Sequence, residues 1–253
     1  MYPHRIRLRG PWEYEPLARL PPGPGPGPLP PRGRMTMPCR WSEGGLAGFA
    51  GRVRFRRRFG YPGRLDPGDR VWLTFAGVEG TANVSLTGQP LGRRDGASGP
   101  FEFEVTPLLR ARNELTVEVE SATPRGGLWG EVAMEVRRTA FLRSVRLWAV
   151  RSGETADLHV AGEVVGTSDR PLELYVLLDN ATLSYTTLEP EPAGRPFHVV
   201  TEGLGKDRWQ PRDGETAGLH EVRVELVDGA VVWYKVEQAF AFPEPGLPPG
   251  GSS

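Results

Sequence analysis

Over residues 71–105 apolar and polar side chains alternate with a period of two, and that rhythm limits what this chain can become. Val71, Leu73 and Phe75 interleave with Trp72, Thr74 and Ala76, the pattern of a strand with one face buried. Gly77 breaks the run, residues 83–86 resume it, and Thr87-Gly88 supply a tight turn, because glycine takes positive φ without steric cost. Gly96, Gly99 and Pro100 mark a loop, after which Phe101, Phe103 and Val105 alternate with Glu102 and Glu104. The stretch reads as four short strands of a β-sandwich. It contains no catalytic motif.

The same grammar extends to both sides. Leu115, Val117 and Val119 alternate with Glu114, Glu118 and Glu120, and Val132, Met134 and Val136 continue the period. Residues 52–59 (RVRFRRRF) put Val53, Phe55 and Phe59 on one face and Arg52, Arg54, Arg56 and Arg58 on the other. So many arginines raise the question of nucleic acid, but 31 basic residues are balanced by 31 acidic ones over the chain. The stripe is therefore expected to be the solvated face of a half-buried strand. No run approaches the roughly 18 apolar residues of a membrane span, and the N-terminus lacks the apolar centre of a signal peptide. Neither nucleic acid nor membrane is expected as a partner, and the cytoplasm is the default expectation.

Cys39 is the sole cysteine, which excludes an intrachain disulfide and a thiol-ligated metal site. His4, His159, His198 and His220 are scattered without metal-ligand spacing, and no cofactor is expected. Asp207, Asp213 and Glu215 crowd one loop around Trp209, without the ligand order of a calcium-binding EF-hand.

In chain order, Ile6 and Leu8, then Trp12-Glu13-Tyr14, read as a first strand pair interrupted by Gly10-Pro11. Residues 21–31 (PPGPGPGPLPP) form neither strand nor helix, since proline removes amide donors and fixes φ; an extended surface loop over 21–33 is expected. A first domain spans 1–139. In a second, over 140–242, strands are expected at 145–150, 158–165, 172–178, 197–201, 221–227 and 231–240, with Asp228-Gly229 as the turn between the last two. Six or seven strands at this spacing indicate an immunoglobulin-like sandwich. The tail 243–253, rich in Pro, Gly and Ser, is expected to be disordered.

Several segments form a recognisable series. Phe75-Ala76-Gly77-Val78-Glu79, Val84-Ser85-Leu86-Thr87-Gly88, Asp95-Gly96-Ala97-Ser98-Gly99-Pro100-Phe101 and Glu104-Val105-Thr106 resemble the N-terminal sugar-binding domain of the family 2 glycoside hydrolases. That family includes β-galactosidases, β-glucuronidases and β-mannosidases. Its pattern runs F-x-G-V-D, V-x-x-N-G, G-G-x-x-P-F, D-V-T, so Glu79, Thr87 and Glu104 depart from it. Met37-Pro38-Cys39-Arg40-Trp41 resembles the family's V-P-G-x-W, and Phe55, Arg57 and Phe59 align with its W-Y-R-R-x-F strand. Gly126-Gly127-Leu128-Trp129-Gly130-Glu131-Val132 resembles G-G-I-W-x-P-V, and Phe141-Leu142-Arg143-Ser144-Val145 the first strand of the family's second domain.

The resemblance implies an all-β chain: a galactose-binding-like jelly-roll sandwich followed by an immunoglobulin-like β-sandwich. It implies a carbohydrate ligand, which an aromatic face and a ring of polar side chains would hold. Trp41 and Trp129, beside loops, with Asp95 and Arg125 in flanking turns, are the candidate contacts. Both tryptophans also admit a core or domain-interface reading. Family enzymes cleave with two glutamates on a third domain, a (β/α)₈ barrel of about 250 residues. The second sandwich is expected to end near Phe242, so no barrel is expected and those glutamates have no counterparts. Glu102 with Glu104, and Glu118 with Glu120, lie along single strand faces about 7 Å apart, as solvated carboxylates do. The chain is expected to be a non-catalytic, carbohydrate-binding-like protein. Two alternatives stay open: an accessory chain docking on a separate glycosidase catalytic chain, and a structural or adhesion sandwich with no sugar ligand.

Overall fold

The computed structural model describes residues 3–20, 27–190, 194–205 and 219–243. Trp209, the Asp207, Asp213 and Glu215 loop, residues 21–26 of the proline-rich loop and the tail from 244 lie outside them. The fold is all-β, and its contacts divide it into two units, His4–Val136 and the chain from Arg137 onward.

The first unit contains β1 (His4–Arg7), β2 (Trp12–Arg19), β3 (Gly33–Met35), β4 (Cys39–Arg40), β5 (Gly51–Gly60), β6 (Arg70–Phe75), β7 (Thr81–Leu86), β8 (Gln89–Asp95), β9 (Phe101–Glu104), β10 (Arg112–Ser121), β11 (Gly127–Leu128) and β12 (Val132–Arg137). They form a six-stranded sheet ordered β3-β2-β5-β10-β7-β8, a four-stranded sheet β1-β12-β6-β9, and the short pair β11-β4. Inward positions supply the core: Trp12, Val53, Phe55, Val84 and Val117 from the first sheet, and Val71, Leu73, Phe75 and Met134 from the second, all nearly or fully buried. Phe75 stacks on Phe101 at 4.8 Å.

The arginine stripe lies on the outer face of β5 and is answered by its neighbours. Register places Glu15 beside Arg54, and Glu118 and Glu114 beside Arg54 and Arg58. Arg54 reaches Glu118 at 2.8 Å and Arg58 reaches Glu114 at 2.9 Å. Exposed pairs of this kind contribute about 0–1 kcal/mol each, but they fix register. A one-residue slip would carry the arginines into the core.

Four features differ from the sequence reading. β1 and β2 are not a pair: β1 joins β12 and β2 joins β5, because the Gly10-Pro11 turn carries the chain from one sheet to the other. β12 is buried at all six positions rather than on one face; it is the inner neighbour of both β1 and β6, and its Glu135 is neutralised by an ion pair with Arg5. The other two differences lie in the second unit.

That unit contains β13 (Ala140–Ser152), β14 (Thr155–Gly166), β15 (Leu172–Leu178), β16 (Ala181–Leu188), β17 (Arg195–Gly205), β18 (Leu219–Asp228) and β19 (Val231–Ala241). Sheets β13-β14-β17 and β16-β15-β18-β19 enclose a core of Leu142, Leu158, Val160, Leu174, Val176, Val224 and Leu226. This is an immunoglobulin-like two-sheet arrangement. β16 was not expected, because Thr182, Ser184, Thr186 and Thr187 blur its alternation. Its cue is the preceding Asp179-Asn180, both at positive φ (48° and 68°), as a tight hairpin turn of the I′ kind requires. The β18–β19 turn is displaced by one residue from the expected Asp228-Gly229. Asp228 pairs with Val231, leaving Gly229-Ala230 as the loop with positive φ at Gly229 alone, the pattern of a II′ turn.

Candidate functional site

Three backbone segments are knitted together at one end of the first unit. Gly127 pairs with Arg40 and Leu128 with Cys39, while the Glu79 and Gly127 backbones exchange hydrogen bonds. Trp41 N–H donates to the Gly126 carbonyl at 2.9 Å, and Gly130 N–H to the Gly77 carbonyl at 2.9 Å. Gly96 N–H donates to the Gly80 carbonyl at 2.9 Å, which ties the turn after Asp95 to the same segment.

The glycines here are dictated by contact. A Cβ on Gly126 would lie 2.6 Å from the Trp41 ring, and one on Gly130 only 2.1 Å from the Gly77 nitrogen. Gly127 sits at φ +137° against the Cys39 carbonyl, a region that side chains disfavour. Gly77 in turn underlies Trp129: its Cβ would fall 2.5 Å from the indole.

The four sequence candidates separate on this framework. Trp129 is 44% exposed, rests on Gly77, and has the Arg40 guanidinium over its ring at 5.3 Å. Arg40 also faces Glu79 at 3.8 Å. Asp95 is exposed, and its carboxylate accepts from Ala97 N–H at 3.1 Å, capping the turn. Arg125 is exposed, its backbone N–H held by Thr123 Oγ1 at 3.4 Å. Trp41, by contrast, is fully buried and packs against Phe49 at 5.6 Å. It has no face to offer a ligand and acts as the floor on which Gly126 rests.

Arg40 and Glu79 lie in the motif segments that carry the family resemblance but were not among the candidate contacts; the β4–β11 pairing and the Glu79–Gly127 bridge bring them to Trp129. The resulting surface combines an indole, a guanidinium and the Glu79 carboxylate. It can stack on a C–H face and hydrogen-bond to hydroxyls. The Cys39 thiol nearby donates weakly to the Arg40 carbonyl at 3.2 Å. Burial, and then Glu43, push its pKa up, which disfavours the reactive thiolate.

Outside this region Glu118 is occupied by Arg54, and Glu104 faces Arg70 at 3.7 Å. His159 and His198, 39 residues apart, meet with Nδ1 3.1 Å from Nε2 beneath Trp148. Among the described residues no group of three or more His, Cys, Asp or Glu side chains is placed to hold a metal ion. No helix of these residues is long and apolar enough to cross a membrane.

Comparison with known proteins bears on this end of the molecule. Residues 50–131 match the family described as glycosyl hydrolase 2 galactose-binding domain-like. No curated protein matches the sequence. Among solved structures, a β-D-mannosidase from Dictyoglomus thermophilum superposes with a TM-score of 0.73 at 16% identity, over 94% of this chain and 36% of that one. A β-glucuronidase from Bifidobacterium dentium, complexed with coumarin-3-O-glucuronide, gives 0.66 at 23% identity, over 95% and 49%. A Bacteroides uniformis β-glucuronidase gives 0.71 at 17%, over 94% and 32%. At these identities the likeness is one of fold, and the chain spans less than half the length of each. It extends across both units, whereas the family match lies in the first. Residues 50–131 are thus similar to the galactose-binding-like domain of glycosyl hydrolase 2 proteins, and the fold of both units is one that these structural neighbours share.

Proposed function

We propose that the chain is a non-catalytic carbohydrate-binding module, with the saccharide contacted at the Trp129 end of the first unit. The observation that carries this reading is the half-exposed Trp129 indole held on Gly77 with Arg40 over it. A pyranose would lay its C–H face on the indole and direct hydroxyls to Arg40, Glu79, Asp95 and Arg125. A glycan array probed with the intact chain tests this. Binding to at least one glycan class, lost in Trp129→Ala, is expected; an unresponsive array, or binding indifferent to that substitution, would overturn it. A companion assay with chromogenic galactosides, glucuronides and mannosides should give no turnover by the purified chain.

A second reading is favoured by coverage: the chain corresponds to 32–49% of the three glycosidases above. On that reading the two sandwiches serve a catalytic barrel outside these residues, and a barrel supplied separately would co-purify with the chain. Stoichiometric recovery of a glycosidase barrel with the tagged chain is the expected outcome; recovery of the chain alone contradicts it.

A further inference from the structure

A cavity of about 380 Å³ opens between β2, β3 and β5, well removed in sequence from Trp129. It falls within the roughly 300–1,000 Å³ typical of small-molecule sites. Its charged lining is Glu13, Glu15, Arg32, Arg34, Arg54 and Arg56. These charges do not cancel, since four guanidiniums face two carboxylates. Glu15 is shared between Arg54 at 3.4 Å and Arg56 at 3.2 Å. Arg34 comes no nearer than 3.9 Å to Glu13 and keeps 72% of its side chain exposed. Arg32 has no ion-pair partner among the described residues. Even when Glu118 is counted, 2.8 Å from Arg54 but outside the lining, four cations meet three anions. Farther along β5, Arg58 has Glu114 as its own partner at 2.9 Å.

Guanidinium forks match the paired oxygens of carboxylates and of tetrahedral oxyanions, and a recess screens that attraction less than an open surface does. We propose that this cavity binds an anionic group, a carboxylate or an oxyanion such as sulfate or phosphate, on a small molecule. Arg32 and Arg34 make the contacts that Glu13 and Glu15 leave unfilled, with Arg54 and Arg56 as the opposite wall. The site shares no residue with the Trp129 surface and does not depend on the function proposed there.

The test is a nuclear magnetic resonance titration of the isotope-labelled intact chain with sodium acetate, sodium sulfate and sodium phosphate, at ionic strength held constant with chloride. Saturable shifts of arginine Nε–H and neighbouring amide resonances of β2, β3 and β5 are expected. Saturation by acetate alone assigns a carboxylate, and saturation by sulfate or phosphate an oxyanion; either supports the site. Arg32→Gln and the double variant R32A/R34A should keep the folded amide spectrum, as both positions are exposed, and the double variant should weaken binding about tenfold or more. Arg93→Ala, an exposed arginine elsewhere, should leave it unchanged. Shifts that rise linearly, that chloride reproduces, or that persist undiminished in both Arg32 variants would overturn the proposal.

Discussion

Trp129 and Trp148 both reach the surface, at 44% and 39% exposure, but they are held there by different means. Trp148 sits on a regular strand, β13, where Arg146 and Val150 point outward with it while Leu147 and Ala149 turn inward. Its indole lies parallel to His159 at 5.0 Å and to His198 at 5.3 Å, side chain against side chain. Trp129 lies between strands, in a segment stitched to two others by backbone hydrogen bonds, and its ring rests on backbone at Gly77. The first position tolerates change because its neighbours can move. The second is set by peptide atoms that cannot, and this is the kind of placement a binding surface needs.

The sharpest way to break this contrast is Gly130→Ala. The added methyl would meet the Gly77 nitrogen at 2.1 Å, backbone on backbone with no side chain to yield, and should destabilise the first unit by about 3 kcal/mol or more. Trp148→Ala, at a half-exposed strand position, should change stability by no more than about 1 kcal/mol. Denaturant unfolding of both variants decides the matter; equal losses would erase the distinction.

Gly77→Ala should have a smaller effect on stability, because its methyl meets the movable Trp129 ring. The indole is expected to swing off its seat, with a loss of about 1 kcal/mol or less and abolished glycan binding, although no ligand-contacting group is removed. Glycan affinity equal to that of the unaltered chain would show that the seat is irrelevant.

Smaller still is Thr87→Asn. Thr87 is a β-branched residue at φ 50° in the β7–β8 turn, held by its N–H donating to the Glu114 carbonyl at 2.7 Å. Asparagine accepts that backbone region more readily, and a gain of about 0.5 kcal/mol is expected; a loss in thermal unfolding would contradict it.

In the second unit the hydrogen bond from Lys235 above all, with Arg223 helping, holds the Glu237 carboxyl below the usual glutamate range. Its stabilisation is therefore present above the ordinary glutamate pKa and fades as pH falls through the lowered one. Glu237→Gln should flatten the acid limb of stability slightly, and an unchanged limb would contradict this.

Much of the first unit was legible in the chain because its strands alternate cleanly and its turns carry glycine. Phe55, Val84 and Val117 sit in the core where a period of two puts them. β16 was hidden because its threonines and serine resemble loop chemistry, and the meaning of Asp179-Asn180 depends on the strands it joins. Trp41 could not be told from Trp129 by local sequence: both adjoin loops, and burial depends on which segment folds over which. Arg40, Glu79 and the meeting of His159 with His198 are products of strand pairing across 39 or more residues, beyond any local signal.

The most direct test follows the seven indole N–H resonances of the intact chain, assigned by substitution, during titration with a saccharide selected on the array. A saturable shift at Trp129, with Trp148 unmoved and the response lost in Gly77→Ala, is the predicted result. Saccharide-dependent shifts at Trp148 with Trp129 silent would contradict it.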